Sequence, residues 1–454
     1  MELQKNDRRE IFGWLTYDWA NSAFYTTVIG VLIAPYLTSL AQAAVGENGV
    51  VLSFGALGSV TAKSLPSLAI SVSVFCQVLF LPILGGIADY TNLKKRLMMI
   101  FCYLGVITSA LLFFVTDGLY LYGAVLLILA NLCFGAATIF YNAYLVEITT
   151  EDRRDFISSY GFASGYVGGI IMLILNIVFV QNAESFGLTT GFAVRLSLLA
   201  ASLWWGGFAI FTFILIKPRG AAKELPKEKN LLSISLGELA KTFRELKRLR
   251  YTARFLAACF CYNNGIQTVI TSASVFLAQE LFVKRGEEVS QSFLLGIFLV
   301  SQICALIGAI SFERLARIIG TKYTLIISLI IWILIVFFAY AILETPSQAW
   351  AMAAFIGLVL GSSQALSRSL YSQMIPKGRE ASFFGLYEIS EKGTSLVGSL
   401  VFSVVVGITG EFRQAILSMI VFLALGIIIL ILTDTERAIH EAGNQTPDEA
   451  AAHT

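Results

Sequence analysis

The sequence predicts an all-α membrane protein with twelve transmembrane helices in two six-helix halves. Three observations support this fold class: a low content of charged residues, a series of long apolar segments, and a similarity between the two halves of the chain. Of the 454 residues, 57% are hydrophobic and 14% are charged, whereas a soluble domain carries roughly 25% charged residues. A surface with so little charge must face lipid.

Twelve apolar segments are each long enough to cross the bilayer, because about 20 helical residues span roughly 30 Å of hydrocarbon. They are uninterrupted and do not alternate with the period of two that a transmembrane β-barrel requires, so helices are predicted. The predicted spans are 13–37, 66–89, 97–115, 119–145, 159–181, 191–216, 253–281, 292–311, 323–343, 347–370, 384–408 and 413–432.

Basic residues predict the orientation of these spans. Lysines and arginines cluster in alternate loops, for example at 94–96, 153–154 and 377–379, and the loops between them carry few. Because basic loops stay on the cytoplasmic side, both termini are predicted to be cytoplasmic. The predicted location is the cell's inner (plasma) membrane.

The two halves of the chain resemble each other. Residues 135–169 and 361–398 each begin with glycine in a small and polar helix end, cross a short charged loop with an arginine, and re-enter the membrane with small residues. A six-plus-six repeat is typical of transporters, with the binding site between the halves. The predicted parts are a first half (1–216), a linker (217–252), a second half (253–432) and a polar cytoplasmic tail (433–454).

The linker has the pattern of a basic amphipathic helix. Apolar residues such as Leu239, Phe243 and Leu246 recur every three or four positions, interleaved with lysines and arginines. Such a helix is suited to the surface of an anionic leaflet. A binding site for a partner helix is the alternative.

Composition argues against an enzyme. All six cysteines lie in apolar runs, and both histidines, His440 and His453, lie in the polar tail, so no histidine within the membrane can bind a metal or relay protons. No phosphate-binding loop of the G-x-x-x-x-G-K-[ST] type is present. We therefore expect no cofactor, no nucleic-acid partner and no direct use of ATP.

Polar residues form stripes on predicted spans one, four, seven and ten. At spacings of three and four they share a helix face, and contact with lipid would be unfavourable, so they are predicted to face a water-filled interior. The alternative is that they only join helices by hydrogen bonds. Their neutral side chains favour a neutral or zwitterionic solute. The predicted substrate-binding residues are Asn21, Tyr25, Asn131, Asn142, Asn263, Asn264, Gln267 and Gln364.

Charged residues are predicted to form a gate near the cytoplasmic side, where a charge costs less than at the bilayer centre. Asp18 and Glu391 are also candidates for proton coupling, because a carboxylate that moves away from Arg368 or Lys392 could bind and release a proton. The expected partners are a small-molecule substrate, the lipid bilayer and protons. The predicted coupling or gating residues are Asp18, Asp89, Lys94, Lys95, Arg96, Arg368, Glu388, Glu391 and Lys392.

The loop after span two, GGIADYTNLKKR at 85–96, resembles the signature loop of the major facilitator superfamily, with Asn92 where that pattern usually has glycine. A degenerate counterpart follows span eight, with Glu313 in the acidic position. The resemblance implies the fold of that superfamily, with spans one, four, seven and ten around a central cavity. It also implies that Asp89, Lys94, Lys95 and Arg96 stabilise one closed conformation.

A narrower resemblance rests on YDWANSAF at 17–24, FYNAYL at 140–145, SQALSRSL at 363–370 and FFGLYE at 383–388. These blocks are similar to the family of vacuolar amino-acid effluxers linked to autophagy and their bacterial relatives. The resemblance implies a secondary transporter that works by alternating access, with amino acids as the substrate class and efflux as the direction. A lipid flippase, a broad-specificity drug or metabolite exporter, and a channel are the alternatives.

Overall fold

The computed structural model describes residues 4–47, 49–53, 59–90, 93–219, 231–392 and 394–452. Within these residues the chain is almost entirely helical. The one sheet is a short antiparallel hairpin of β1 (Val50–Ser53) and β2 (Ser59–Thr61), which connects the first two spans.

Span 1 is a composite helix: α1 (Arg8–Ala23), a π-helical segment (Phe24–Leu32) and α2 (Ile33–Val45) follow one another without a break. The remaining spans of the first half are span 2, α3 (Leu65–Tyr90); span 3, α4 (Lys94–Ala110) with a 3₁₀ turn (Leu111–Phe114); span 4, α5 (Tyr120–Ile148); span 5, α6 (Arg154–Gln181); and span 6, α7 (Thr190–Leu215).

The second half follows the linker helix α8 (Leu231–Arg248). Its first four spans are span 7, α9 (Arg250–Leu281); span 8, α10 (Gln291–Ile319); span 9, α11 (Thr321–Ala341); and span 10, α12 (Pro346–Gln373). The last elements are span 11, α13 (Glu380–Lys392) with α14 (Thr394–Thr409); span 12, α15 (Phe412–Ile431); and the tail helices α16 (Thr435–Glu441) and α17 (Pro447–Ala452). Short 3₁₀ turns occupy Glu151–Arg153, Ala183–Phe186 and Val283–Arg285.

Eleven of these spans, among the described residues, are long and apolar enough to cross a membrane, and Val397–Thr409 of span 11 is a shorter apolar helix. Each predicted span corresponds to one of the twelve. The predicted fold class is therefore confirmed.

The same helix contacts occur in both halves. Span 1 packs on spans 5 and 6, span 2 on span 4, and span 3 on spans 4 and 6. In the second half, span 7 packs on spans 11 and 12, span 8 on span 10, and span 9 on spans 10 and 12. Every pair recurs with an offset of six spans, as two copies of one six-helix arrangement would give.

Contacts between the halves follow the same symmetry. Span 2 packs on span 11 and span 5 on span 8, while spans 4 and 5 pack on spans 11 and 10. We call the side that carries both chain ends and α8 the terminal face, and the other side the opposite face.

The tail is folded onto the terminal face. Helix α16 packs on span 7, and α17 packs on the 3₁₀ turn that joins spans 4 and 5. Between them, the buried side chain of Asn444 donates hydrogen bonds to the backbone oxygens of Gln373 (2.8 Å) and Ile375 (2.7 Å) at the end of span 10. The tail therefore contacts loops of both halves.

Candidate transport site and gate

Arg368 of span 10 reaches across to three helices of the first half. Its Nε donates to Ser158 Oγ (3.0 Å) and its Nη2 to the Ser158 backbone oxygen (2.8 Å) of span 5. Its Nη1 lies 3.4 Å from both Asn142 Oδ1 of span 4 and Asp18 Oδ2 of span 1. Only 4% of the Arg368 side chain is exposed. This buried cation thus donates its hydrogen bonds to the other half of the molecule, while Glu391 of its own half also interacts with it electrostatically.

Aromatic rings complete the surroundings of this guanidinium. The rings of Phe162, Trp14 and Tyr141 lie 4.2, 4.9 and 5.6 Å from the Arg368 Cζ, within the range of a cation–π interaction. The Tyr141 hydroxyl also donates to Asp18 Oδ2 at 2.6 Å. All three rings belong to the first half, so they too bind Arg368 only while the halves are together.

Asn142 joins a second carboxylate to this group. Its Nδ2 donates to Glu388 Oε1 of span 11 at 3.1 Å, while its Oδ1 faces Arg368. These two contacts fix the orientation of the amide, since the donor and acceptor ends have different partners. We call this group of side chains the Arg368 network: Asp18, Tyr141, Asn142, Ser158, Arg368 and Glu388.

A glycine makes the close approach possible. A Cβ atom on Gly161 of span 5 would lie 2.7 Å from the Trp14 ring, 2.8 Å from Asp18 Oδ2 and 2.9 Å from Arg368 Nη2. All three are shorter than an ordinary van der Waals contact, so a larger side chain would displace these groups. Glycine at this position therefore lets the Arg368 network pack closely against span 5.

Farther from the terminal face, an accessible tyrosine lies beside residues of both halves. Tyr25 of span 1 is 50% exposed, although it stacks on Phe134 and interacts electrostatically with Glu391 of span 11. At the same level the Tyr166 hydroxyl donates to Gln364 Oε1 (3.0 Å), joining spans 5 and 10. The exposed side of Tyr25 therefore faces a cleft between the halves. We call this region the central cleft.

Asp89 holds the halves together at the terminal face. Its two carboxylate oxygens accept from the backbone N–H groups of Ala381 (3.0 Å) and Ser382 (2.9 Å), which are free donors in the first turn of span 11. A negative charge is favoured at a helix N-terminus. Next to this cap, a Cβ on Gly85 would lie 2.3 Å from the Ala381 oxygen, so glycine permits the helix crossing.

The basic residues of the signature loop have different surroundings. Lys94 is buried and forms a salt bridge with Glu147 of span 4. Lys95 Nζ donates to the backbone oxygen of Ile216 at 2.6 Å, and Arg96 is exposed. Lys94 and Lys95 thus bond to residues of the first half, whereas Asp89 bonds to the second. Lys94 also interacts electrostatically with Glu380 of span 11. Asn92 lies outside the described residues.

Two neighbouring residues of span 5 form a further contact between the halves. Arg154 is fully buried, and its Nη1 donates to the backbone oxygen of Ser372 at 3.1 Å. Asp155 accepts from Ser369 of span 10 and Thr321 of span 9. The sequence analysis did not assign these residues to the site. The only available signal was that they are charged at the start of an apolar helix.

Several predicted substrate-binding residues have a packing role in this conformation. Asn264 is fully buried, donates to the Phe260 oxygen and accepts from the Gly398 backbone N–H (2.9 Å). Asn131 donates to Ser73 Oγ at 2.6 Å. Both amides join helices within one half, so the prediction that they face a water-filled interior is corrected for this conformation.

The remaining candidates divide by exposure. Asn21 and Asn263 are buried, at 5% and 6% exposure, whereas Gln267 and Gln364 are partly exposed. The side chain of Lys392 lies outside the described residues. Tyr25, Gln267 and Gln364 are therefore the predicted binding residues that a solute could contact in this conformation. Tyr166 joins them as a residue that sequence reasoning missed.

The twelve helices, their repeated contacts and the contacts of the signature loop are those of a membrane transporter of the major facilitator superfamily. Residues 6–443 match the family described as "Vacuole effluxer Atg22 like". The chain belongs to this family, as the sequence blocks predicted.

The relatives cover nearly the whole chain. It is 30% identical over 451 residues to the "Uncharacterized MFS-type transporter YxiO" of Bacillus subtilis (strain 168), covering 98% of this chain and 100% of that protein. It is 22% identical to "Autophagy-related protein 22-1" of Penicillium rubens, covering 97% and 92%. Among solved structures, the fucose:proton symporter FucP of E. coli aligns with a TM-score of 0.66 at 13% identity, covering 94% and 98%.

Proposed function

We propose that this transporter is a secondary carrier that exports a small neutral or zwitterionic solute, with amino acids as the first candidates, by alternating access. The observation that carries the proposal is an asymmetry between the two faces. The Arg368 network and the Asp89 cap join the halves near the terminal face, while Tyr25 in the central cleft is half exposed. A solute in the cleft is thus separated from the terminal face.

Opening the terminal face would require a defined set of contacts to break. Arg368 would leave Ser158, Asn142 and Asp18 together, because all three belong to the other half. Asp89 would release the first turn of span 11. Water would replace these contacts as the terminal face opens. The closed and open states of that face can therefore have similar free energies, as a carrier requires.

The central cleft offers neutral hydrogen-bonding groups. The phenol of Tyr166 and the amide of Gln364 already bond each other across the cleft, and Gln267 and Tyr25 are accessible. Amides and phenols can both donate and accept, which suits the amine and carboxyl groups of a zwitterion. The description of the family as effluxers supports efflux as the function.

We propose protons as the coupling ion. Asp18 has the Arg368 cation of the other half as a partner only while the terminal face is closed, whereas its other partner, the Tyr141 hydroxyl, belongs to its own half. Once per cycle it would lose and regain that cation, which is the condition under which a carboxylate binds and releases a proton. Glu391, next to Tyr25 and Tyr166 in the cleft, is the second candidate.

The test is counterflow with purified protein in liposomes loaded with neutral amino acids. We expect saturable exchange, faster with an imposed pH gradient, and weakened by Gln364→Leu, because that change removes the acceptor for Tyr166. The matched control is Asn182→Leu, an exposed residue that bonds only its own helix. Flux that does not saturate would indicate a channel and would overturn the carrier assignment. Exchange that ignores the pH gradient would remove proton coupling.

We further propose that the terminal face is cytoplasmic and that the protein resides in the plasma membrane. The basic residues on this face support the orientation through the positive-inside preference. An epitope fused to the C-terminus should be protected from protease added outside intact cells. Cleavage without permeabilisation would overturn the proposed orientation.

A further inference from the structure

The linker helix α8 has one buried face and one exposed basic face. Thr242 of the helix and Leu249, the residue directly after it, are buried against the protein, with 1% and 7% of their surfaces exposed. On the other side Arg244, Lys247 and Arg248 are exposed, and Phe243 beside them is 48% exposed. An exposed aromatic ring next to three cations is typical of helices that lie in the interface of a membrane.

Helix α8 packs on spans 2 and 11, and Arg379 joins it to the start of span 11. Arg379 donates to Glu245 and to Thr242, both on α8, at 2.5 Å each. The first residue of span 11 follows directly, and Asp89 accepts from the backbone of Ala381 and Ser382 in that same turn. Helix α8, span 11 and span 2 therefore meet within four consecutive residues, 379–382.

We propose that the basic face of α8 binds anionic phospholipid headgroups of the adjacent leaflet and thereby stabilises the closed terminal face. Charge complementarity identifies the occupant: Arg and Lys next to a membrane each attract anionic headgroups, and the attraction extends only about a Debye length, roughly 8–10 Å. The exposed Phe243 ring adds an apolar contact that a soluble anion could not use. The proposal concerns the gate and holds for any solute.

The link to the gate is mechanical. Lipid that holds α8 against the membrane surface also holds Glu245 and Thr242, and through them Arg379. With Arg379 fixed, the first turn of span 11 stays where Asp89 can cap it. A ligand shifts a two-state equilibrium only if it binds one state better. Here the lipid would bind the closed state better, because α8 and the start of span 11 are joined in that state.

The experiment compares two lipid compositions in nanodiscs. Spin labels at Arg153→Cys and Lys377→Cys, on a background without the native cysteines, report the distance between the loops that close the terminal face. We expect phosphatidylglycerol added to phosphatidylcholine to raise the ratio of closed to open molecules about fivefold. The triple variant Arg244→Gln, Lys247→Gln, Arg248→Gln should lose this response.

The matched control neutralises three exposed arginines of the same face outside α8: Arg8→Gln, Arg9→Gln and Arg314→Gln. It should respond to phosphatidylglycerol like the parent protein. Thermal unfolding in detergent shows whether the α8 variant is folded. An undiminished response in that variant would overturn the proposal, as would no response in the parent protein. Soluble glycerol phosphate with the same effect in phosphatidylcholine nanodiscs would overturn the lipid as its source.

Discussion

At the scale of single residues, the buried guanidinium of Arg368 lies between the two halves, where it joins them at the terminal face. A buried guanidinium without partners is strongly unfavourable, and the hydrogen bonds that Arg368 donates go to the first half. The side chain that closes the terminal face therefore loses these hydrogen bonds as soon as the halves begin to separate. Water entering the opening cleft has to replace those partners.

Replacing Arg368 with lysine tests this role while keeping the charge. A lysine has no planar fork and cannot contact both Ser158 oxygens and Asn142 at once. Since a hydrogen bond to a charged group contributes roughly 1.5–3 kcal/mol, we expect the closed-to-open ratio to fall by about tenfold or more. Spin labels on the loops at 153 and 377 measure this ratio. The exposed Arg314→Lys should leave it unchanged, and an unchanged ratio in Arg368→Lys would contradict the role.

Gly161→Ala tests the tight packing around the same group. The new Cβ would approach Trp14, Asp18 Oδ2 and Arg368 Nη2 at less than 3 Å, and such overpacking typically costs about 1–3 kcal/mol. Thermal unfolding in detergent should show a lower midpoint. Gly207→Ala is the control, because no atom lies within 4 Å of its added Cβ. Equal midpoints for the two variants would show that the site can expand without cost.

At the scale of elements, glycines allow close helix contacts of two kinds: between the two halves and within one half. Gly85 lets span 2 touch span 11 of the other half, with an added Cβ 2.3 Å from the Ala381 oxygen. Gly361 lets span 10 touch span 8 of its own half, with an added Cβ 2.1 Å from the Ala305 oxygen. Only the first contact has to open during transport, although the two distances are nearly equal.

The two glycines should therefore respond differently to alanine. Gly85→Ala is expected to open the terminal face, because separation of the halves relieves the clash, with little change in the midpoint of unfolding. Gly361→Ala has no such relief. It should lower the free energy of unfolding by about 1–3 kcal/mol, and the midpoint of thermal unfolding falls with it. The spin-label distance and the unfolding midpoint are measured on both. If Gly361→Ala opened the gate and Gly85→Ala only destabilised, the assignment of moving and fixed contacts would be wrong.

The π-helical segment of span 1 is a feature of this element that the sequence did not predict. Apolar length predicted span 1, and Phe24–Leu32 contains a single glycine and no proline that would suggest an irregular helix. Its wider turns become visible only in the structure, directly after Asp18 and Asn21 and including Tyr25. Such segments often occur at functional sites.

Across the whole molecule, composition and hydropathy were enough to predict the twelve spans, because lipid imposes a simple length and polarity requirement. The site was predicted in part. Asp18, Asn142 and Arg368 were selected as polar residues within apolar helices, but their mutual contact joins positions 350 residues apart. Asn131 and Asn264 have the same sequence signal and instead bond neighbouring helices, which no helical spacing distinguishes.

The asymmetry between the faces leads to a prediction for the intact membrane. Tyr25 is half exposed in the central cleft, and Ser372, at the end of span 10 near the terminal face, is fully buried. In the conformation described here, a membrane-impermeant maleimide should label Tyr25→Cys from the opposite face and leave Ser372→Cys unlabelled from either side.

The second conformation should reverse this pattern. With Gly85→Ala added, Ser372→Cys should react with reagent supplied at the terminal face, because the loops at 153 and 377 separate, while labelling of Tyr25→Cys from the opposite face slows. The fixed contact provides the control: Gly361→Ala should change neither rate in protein that remains folded. Simultaneous labelling of Tyr25→Cys from both faces would describe an open pore and would contradict a carrier that exposes its cleft to one side at a time.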